Sequence, residues 1–319
     1  MRGWQFTKTH VEPKLIEKED PKAKEGWVVI DVKAAGLCHS DVAALEQESW
    51  MSLITAAPCI FGHECAGVIS EVGKGVKEFK IGDRVGVCPI DPDTGLAIGY
   101  AYDGGYATKC SVPASSLVHI PSGVSFIQGA AATDAGATAY HALFTEGKAE
   151  KGMKVGIIGI GGLGQFAARM AVLAGCEVYA VDINPQARAL AKKIGCKKVY
   201  NSASRLEIIR PDLIVDYAGF KDTVKEATRV VKTGGTVVLV GMGVSEFELD
   251  TITMITNQVT LIGSNGSIPK DVAGVYDFYK KGLNPELTPI PFEDIDKGLK
   301  MLKEGKIKGR LVAEINSDN

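Results

Sequence analysis

The chain predicts an α/β fold, with a β-rich half followed by a doubly wound parallel sheet. Three observations carry this. Short β-rich runs separated by glycines fill the sequence up to about residue 125. Strand and helix patterns then alternate. At one strand-to-helix junction stands Gly159-Ile160-Gly161-Gly162-Leu163-Gly164. The 37 glycines make up about 12% of the 319 residues, against roughly 7% on average, so many tight turns or close backbone approaches are expected.

In order along the chain, residues 27–32, 65–72 and 83–88 read as strands, punctuated by Gly62, Gly67, Gly73, Gly75, Gly82 and Gly86. They suggest a compact, barrel-like β domain. Residues 130–144 are alanine-rich and read as a helix. Strands are expected at 154–158, 177–181, 212–215, 236–240 and 259–263, with helices up to 174 and at 185–193 and 222–231 between them. Helices near 271–281 and 292–304 and a strand at 310–315 complete the chain. The expected division is residues 1–135 with 264–319 as one domain and 136–263 as the other, joined directly and sharing a cleft.

Composition excludes several classes. Lys+Arg 36 against Asp+Glu 38 gives a net charge of −2, with no global field for nucleic acid or an anionic membrane. No run of about 20 apolar residues suggests a membrane span. The first residues lack the apolar core of a signal peptide. Seven scattered cysteines without a Cys-x-x-Cys pair do not make a disulfide framework, so a cytoplasmic location is expected.

The glycine run fits G-x-G-x-x-G in the context that makes it informative. Gly159 permits the tight turn, Gly161 the approach of a pyrophosphate, and Gly164 close helix–strand packing. Gly162 and Leu163 complete the loop, whose helix N-terminus faces the phosphates. Asp182 ends the next strand, where a carboxylate accepts hydrogen bonds from the adenosine ribose and disfavours a 2′-phosphate. NAD is the expected cofactor, and Gly241 is placed among its contacts. The alternatives are a structural glycine turn and an Asp182 that only caps the next helix.

Cys38-His39-Ser40-Asp41 follows one strand and Gly62-His63-Glu64 precedes another. Cysteine, histidine and carboxylate are zinc-ligand types, and three protein ligands leave a position for substrate. A buried cysteine and a hydrogen-bonded histidine would explain the same residues without a metal.

Residues 36–41 and 62–69, with the stretch 72–85 and the glycine fingerprint, resemble the zinc-dependent alcohol dehydrogenases of the medium-chain dehydrogenase/reductase superfamily, over nearly the whole chain. The resemblance implies a GroES-like β domain carrying a catalytic zinc, a Rossmann NAD domain, and a homodimer or homotetramer joined through the strand at 259–263. It implies zinc ligation by Cys38 and His63, with Asp41 orienting the histidine and Ser40 passing the alcohol proton towards the cofactor ribose. His39 and Arg310 fall at positions near the pyrophosphate, and Thr138 at a nicotinamide contact. Glu64 matches a carboxylate that replaces water on the metal in some members.

Three departures matter. Asp134 stands where the family's third ligand is usually cysteine; it is a ligand or a helix cap. A thiolate, a neutral imidazole and one carboxylate balance Zn²⁺, as the usual two-thiolate set does. The four-cysteine structural zinc lobe is missing after Cys88, where Asp91-Pro92-Asp93-Thr94-Gly95 reads as a turn, so one zinc per chain is expected. Ala43 replaces a histidine that ends the proton relay in some members. Trp50, Met51, Pro89 and Tyr102 are candidates for the substrate side. The leading expectation is an NAD-dependent alcohol or polyol dehydrogenase. Its rivals are a metal-free or metal-vestigial reductase of an activated C=C or C=N bond, and a non-catalytic nucleotide-binding protein.

Overall fold

The computed structural model describes residues 1–307 and 309–316. The chain divides into two compact units: Met1–Ala137, Ser267–Tyr276 and Glu286–Asn319, and then Thr138–Gly266 with Asp277–Pro285.

The first unit is built around Trp27–Gly36, whose Val28, Ile30, Val32 and Ala34 are buried while Asp31 and Lys33 stay partly exposed. Val29 and Ala35 are buried as well, so the alternation holds only over the middle of the strand and its ends are covered on both faces. It lies inside a sheet ordered Leu287–Pro291, Arg310–Glu314, Trp27–Gly36, Cys65–Val72, Arg84–Val87, Leu117–His119, and Lys109–Pro113 also pairs with it. Arg2–Phe6, Lys14–Glu17 and Cys59–Ile60 form a second sheet. Phe6 stacks on Phe61 at 4.1 Å in a core that includes Ile30, Leu37 and Tyr106. The register matters most. Ala35 pairs with Cys65 antiparallel, so residues 36–38 leave the sheet beside residues 62–64. Gly36 N–H donates to the Glu64 carbonyl at 2.7 Å. Val312 pairs with Gly36, and Leu37 N–H donates to the Leu311 carbonyl, which brings Arg310 to the same place.

In the second unit six parallel strands run in the order Lys198–Tyr200, Glu177–Val181, Lys154–Ile158, Leu213–Asp216, Thr236–Leu239, Thr260–Gly263. Val155 to Ile158 and Leu213 to Asp216 are wholly buried, as expected of central strands covered on both faces. The order reverses between these two strands, and in open α/β sheets ligands bind beyond the carboxyl ends at such a point.

Most expected elements stand within a residue or two of their reading. The alanine-rich helix departs from it. It starts at Phe126 on a Ser125/Gln128 capping box and is α to Ala131. It is then π over Ala132–Gly136, α over Ala137–Tyr140 and π again over His141–Glu146. The expected helix near 292–304 is a 3₁₀ turn, Phe292–Asp294, followed by Ile295–Lys303. His39–Glu46 is helical, which the sequence reading left unassigned. Among the described residues no helix is long and apolar enough to cross a membrane.

Candidate active site

Cys38 is the N-cap of the helix His39–Glu46, and Asp41 is its third residue. The Cys38 N–H donates to Asp41 Oδ2 at 3.3 Å, closing a capping box that fixes the thiol at the helix entrance. Ser40 Oγ lies 3.5 Å from Cys38 Sγ and is partly exposed, while His39 next to it is exposed.

His63 is set by the residue before it. Gly62 has φ +94°, a left-handed conformation, and a Cβ there would run into the Tyr106 ring. The imidazole is buried, with Nδ1 3.2 Å from Asp41 Oδ1 and Nε2 3.5 Å from Asp134 Oδ2. Asp134 sits in the π turn, an insertion that shifts the facing of helical residues and recurs at functional sites. One ligand atom each from Cys38, His63 and Asp134 lies within 4.8 Å of the others.

Glu64 and Arg310 flank this trio, both buried. The guanidinium Nε donates to Glu64 Oε2 at 3.0 Å, Nη2 also reaches that oxygen, and Nη2 donates to Asp134 Oδ2 at 3.0 Å. Glu64 Oε1 is buried with no hydrogen-bond partner among the described residues. Burial pushes the Glu64 carboxyl up to about 7 against the pull of Arg310. Burial acts the same way on Asp134, but His63 and Arg310 outweigh it and hold that carboxyl well below the usual range. Burial depresses the His63 imidazole, yet Asp41 and Asp134 carry it well above its ordinary value. Buried carboxylates and positive groups thus face each other here, Asp41 and Asp134 against His63, and Glu64 and Asp134 against Arg310.

In the second unit the glycine loop shows a separate cause for each glycine. Gly159 has φ +85°. A Cβ on Gly161 would meet open space, and one on Gly164 would collide with the Gly159 carbonyl. Gly162 and Leu163 are partly exposed in the loop that opens the helix Gly164–Leu173. Asp182 Oδ2 accepts from Ile160 N–H and Oδ1 from Asn184 N–H, both at 2.7 Å. The helix after Asp182 is capped by Asn184 instead, whose side chain accepts from Gln186 N–H. Gly241 packs on Ala218 and Gly219 at the carboxyl end of the sheet, and Thr138 is buried at the start of this unit.

Residues 24–122 match the alcohol dehydrogenase GroES-like domain family and residues 162–281 the zinc-binding dehydrogenase family. An alcohol dehydrogenase of Geobacillus stearothermophilus is 33% identical over 95% of this chain and 96% of its own. The chain belongs to the alcohol dehydrogenase family. It is an oxidoreductase of the medium-chain dehydrogenase/reductase type. Among solved structures, acetophenone reductase from Geotrichum candidum in complex with NAD superposes with TM-score 0.88 at 27% identity, covering 100% of this chain and 98% of that one. A thermostable alcohol dehydrogenase from Pyrobaculum aerophilum with cobalt and zinc bound gives TM-score 0.88 at 26% identity, covering 98% and 99%.

Within this chain, Arg310 is drawn onto Glu64 and Asp134, a pairing that sequence reasoning missed. Tyr106 was missed too; its hydroxyl donates to Asp41 Oδ2 at 2.6 Å. The signal for the Cys38 helix was present, since Cys38-x-x-Asp41 has capping-box spacing. In the stretch after Cys88, Asp91 accepts from Ser115 Oγ at 2.6 Å and from Thr94 Oγ1, bonds that tie its turn to Ser115. Trp50 packs edge-on to Tyr100, which in turn lies 5.6 Å from the His63 ring; Tyr102 packs on Trp27.

Proposed function

We propose that this oxidoreductase transfers hydride between NAD(H) and an alcohol or polyol and its carbonyl product, using one zinc per chain. The observation that carries the reading is the convergence of Cys38, His63 and Asp134 donors within 4.8 Å in a buried site. Thiolate, imidazole and carboxylate suit Zn²⁺ in type and number and leave a position open. The orphaned Glu64 Oε1 is an available further donor.

When bound, the zinc supplies a Lewis acid that lowers the pKa of the substrate hydroxyl. The chain's own residues do the rest. Asp41 fixes the His63 ring so that Nε2 faces the metal position. Ser40, partly exposed beside Cys38, accepts the substrate proton and passes it on towards the cofactor ribose. Arg310 neutralises Glu64 while it holds the outer side of Asp134. The Gly159–Gly164 loop would seat the NAD pyrophosphate, with His39 and Thr138 as further cofactor contacts, and Asp182 would hold the adenosine ribose. No structural zinc is proposed. The edge strand Thr260–Gly263 is the proposed self-association surface, which sedimentation as a dimer or tetramer would support.

Metal analysis and a substrate panel test the reading together. Protein refolded in zinc and dialysed is expected to keep one zinc per chain and to turn over NAD with alcohols or diols. Two zincs revive a structural site. None, with NADH-dependent reduction of enoyl or imine substrates intact, establishes the metal-free reductase instead.

A further inference from the structure

Asp41 is fully buried, and a carboxylate out of water is tolerable only when its oxygens are hydrogen-bonded. Oδ2 accepts from the Cys38 N–H and from the Tyr106 hydroxyl, while Oδ1 makes no aligned hydrogen bond among the described residues and lies 3.2 Å from His63 Nδ1 as a charge contact. The Tyr106 contact is the shortest of the three, 2.6 Å to Oδ2, the length of a charge-assisted O–H···O⁻ bond. The Gly36 carbonyl is a second acceptor for that hydroxyl at 3.1 Å, but its one proton goes to the nearer, charged oxygen.

Tyr106 is held on every side. Its N–H donates to the Phe61 carbonyl at 2.8 Å, and its own carbonyl accepts from Trp4 N–H at 2.9 Å. Its ring fills the space that a side chain at position 62 would occupy. Neighbouring links clamp the same loop onto the same segment: Gly104 N–H donates to Ile60 O and Gly105 N–H to Gly62 O. One loop thus fixes both the backbone before His63 and the carboxylate beside it.

We infer that Tyr106 is a positioning residue for the metal site, the outer member of a buried chain running Tyr106 hydroxyl, Asp41 carboxylate, His63 imidazole. Its hydroxyl stops Asp41 from turning away from His63. The charge of Asp41 Oδ1, 3.2 Å from Nδ1, then favours the His63 proton on that nitrogen, which leaves the Nε2 lone pair for a metal. The inference rests on the zinc reading above and extends it from the ligands to the loop that aims them.

The test compares the full-length protein with Tyr106→Phe, which keeps the ring on Gly62 and removes only the hydroxyl. Zinc affinity is read by competition with a chromogenic chelator, and site geometry by the visible absorption of the cobalt(II)-loaded protein; neither needs turnover. Tyr106→Phe is expected to weaken zinc binding by about 10- to 100-fold and to alter the cobalt bands. On an Asp41→Asn background the same change is expected to cost less than about twofold, because the route through Asp41 is already cut. Unchanged zinc affinity and cobalt spectrum in Tyr106→Phe overturn the positioning role alone. An equal loss on both backgrounds also overturns it, since a packing defect would not depend on Asp41. A wild-type protein that takes up no zinc overturns the zinc reading and this inference with it.

Discussion

The two units make their sites from different parts of the polypeptide. In the second, main chain does the work: a left-handed turn at Gly159, open space over Gly161, and the absence of a Cβ where Gly164 meets the Gly159 carbonyl. In the first, side chains do it. Cys38, His63, Asp134, Glu64 and Arg310 come from four segments and meet only because strand register carries four of these residues to one end of a sheet and a π turn aims the fifth. A backbone site depends on what a position lacks. A side-chain site depends on what several positions supply at once, so the two should fail in different ways.

The largest effect is expected at Asp134. Asp134→Ala removes a donor and leaves Arg310 with Glu64 as its remaining carboxylate in the cluster. Zinc content should drop, and kcat/KM should fall by at least about a hundredfold, more than a loss around the ligands costs. NADH affinity, read by fluorescence, should stay within about twofold. Full zinc occupancy with full activity would reduce Asp134 to a packing residue of its helix. The mirror experiment is Gly164→Val. Overpacking costs about 1–3 kcal/mol, so NADH binding should weaken by roughly 5- to 150-fold while zinc stays in place. Loss of zinc in this variant would break the separation between the two units.

This difference also explains what could be read in the sequence. The parallel sheet and its loop were legible because each glycine answers a local demand that neighbouring residues reveal. Strands such as Glu177–Val181 and Lys154–Ile158 announce themselves as short apolar runs. The side-chain cluster of the first unit was legible only in pieces. Nothing around Asp134 signals that its helix turns π there, and nothing near Arg310 signals two carboxylates waiting for it. Tyr106 carries no signal of its own in the sequence until the pairing of its loop with Phe61 and Gly62 is known. Contacts between distant segments follow from register, which is a property of the folded sheet.

A smaller effect sharpens the cofactor reading of the second unit. Asp182 keeps its carboxylate partly exposed, and Asn184 has taken over the capping of the next helix. Asp182→Ala should narrow the NAD over NADP preference by about tenfold, or 1.4 kcal/mol, because both the ribose bonds and the repulsion of a 2′-phosphate are lost. A wild-type enzyme that uses NADP as well as NAD, measured as kcat/KM, would sink the assignment.

The smallest effect separates the two ends of one strand. Asp212 precedes Leu213–Asp216, and Asp216 ends it. Both carboxylates accept backbone N–H bonds, Asp212 from Lys154 at 2.6 Å and Asp216 from Ala218 at 2.9 Å. Their acidities move in opposite directions. Burial raises both, but at Asp212 the Lys232 ammonium and the Lys154 N–H win, so its pKa is lowered. Asp216 has no such cation, burial wins, and its pKa is raised. A carboxyl depressed by folding adds stability above its unfolded pKa, about 3.9, and loses it as pH falls through the lower folded value. Asp212→Asn should therefore lower Tm modestly at pH 7, for a cost of about 1 kcal/mol in this partly exposed pair, and much less at pH 3. NADH affinity should not change, since Asp212 lies at the amino end of the strand, opposite the glycine loop. An equal Tm deficit at both pH values would show that the charge of Asp212 is not what holds that end of the sheet.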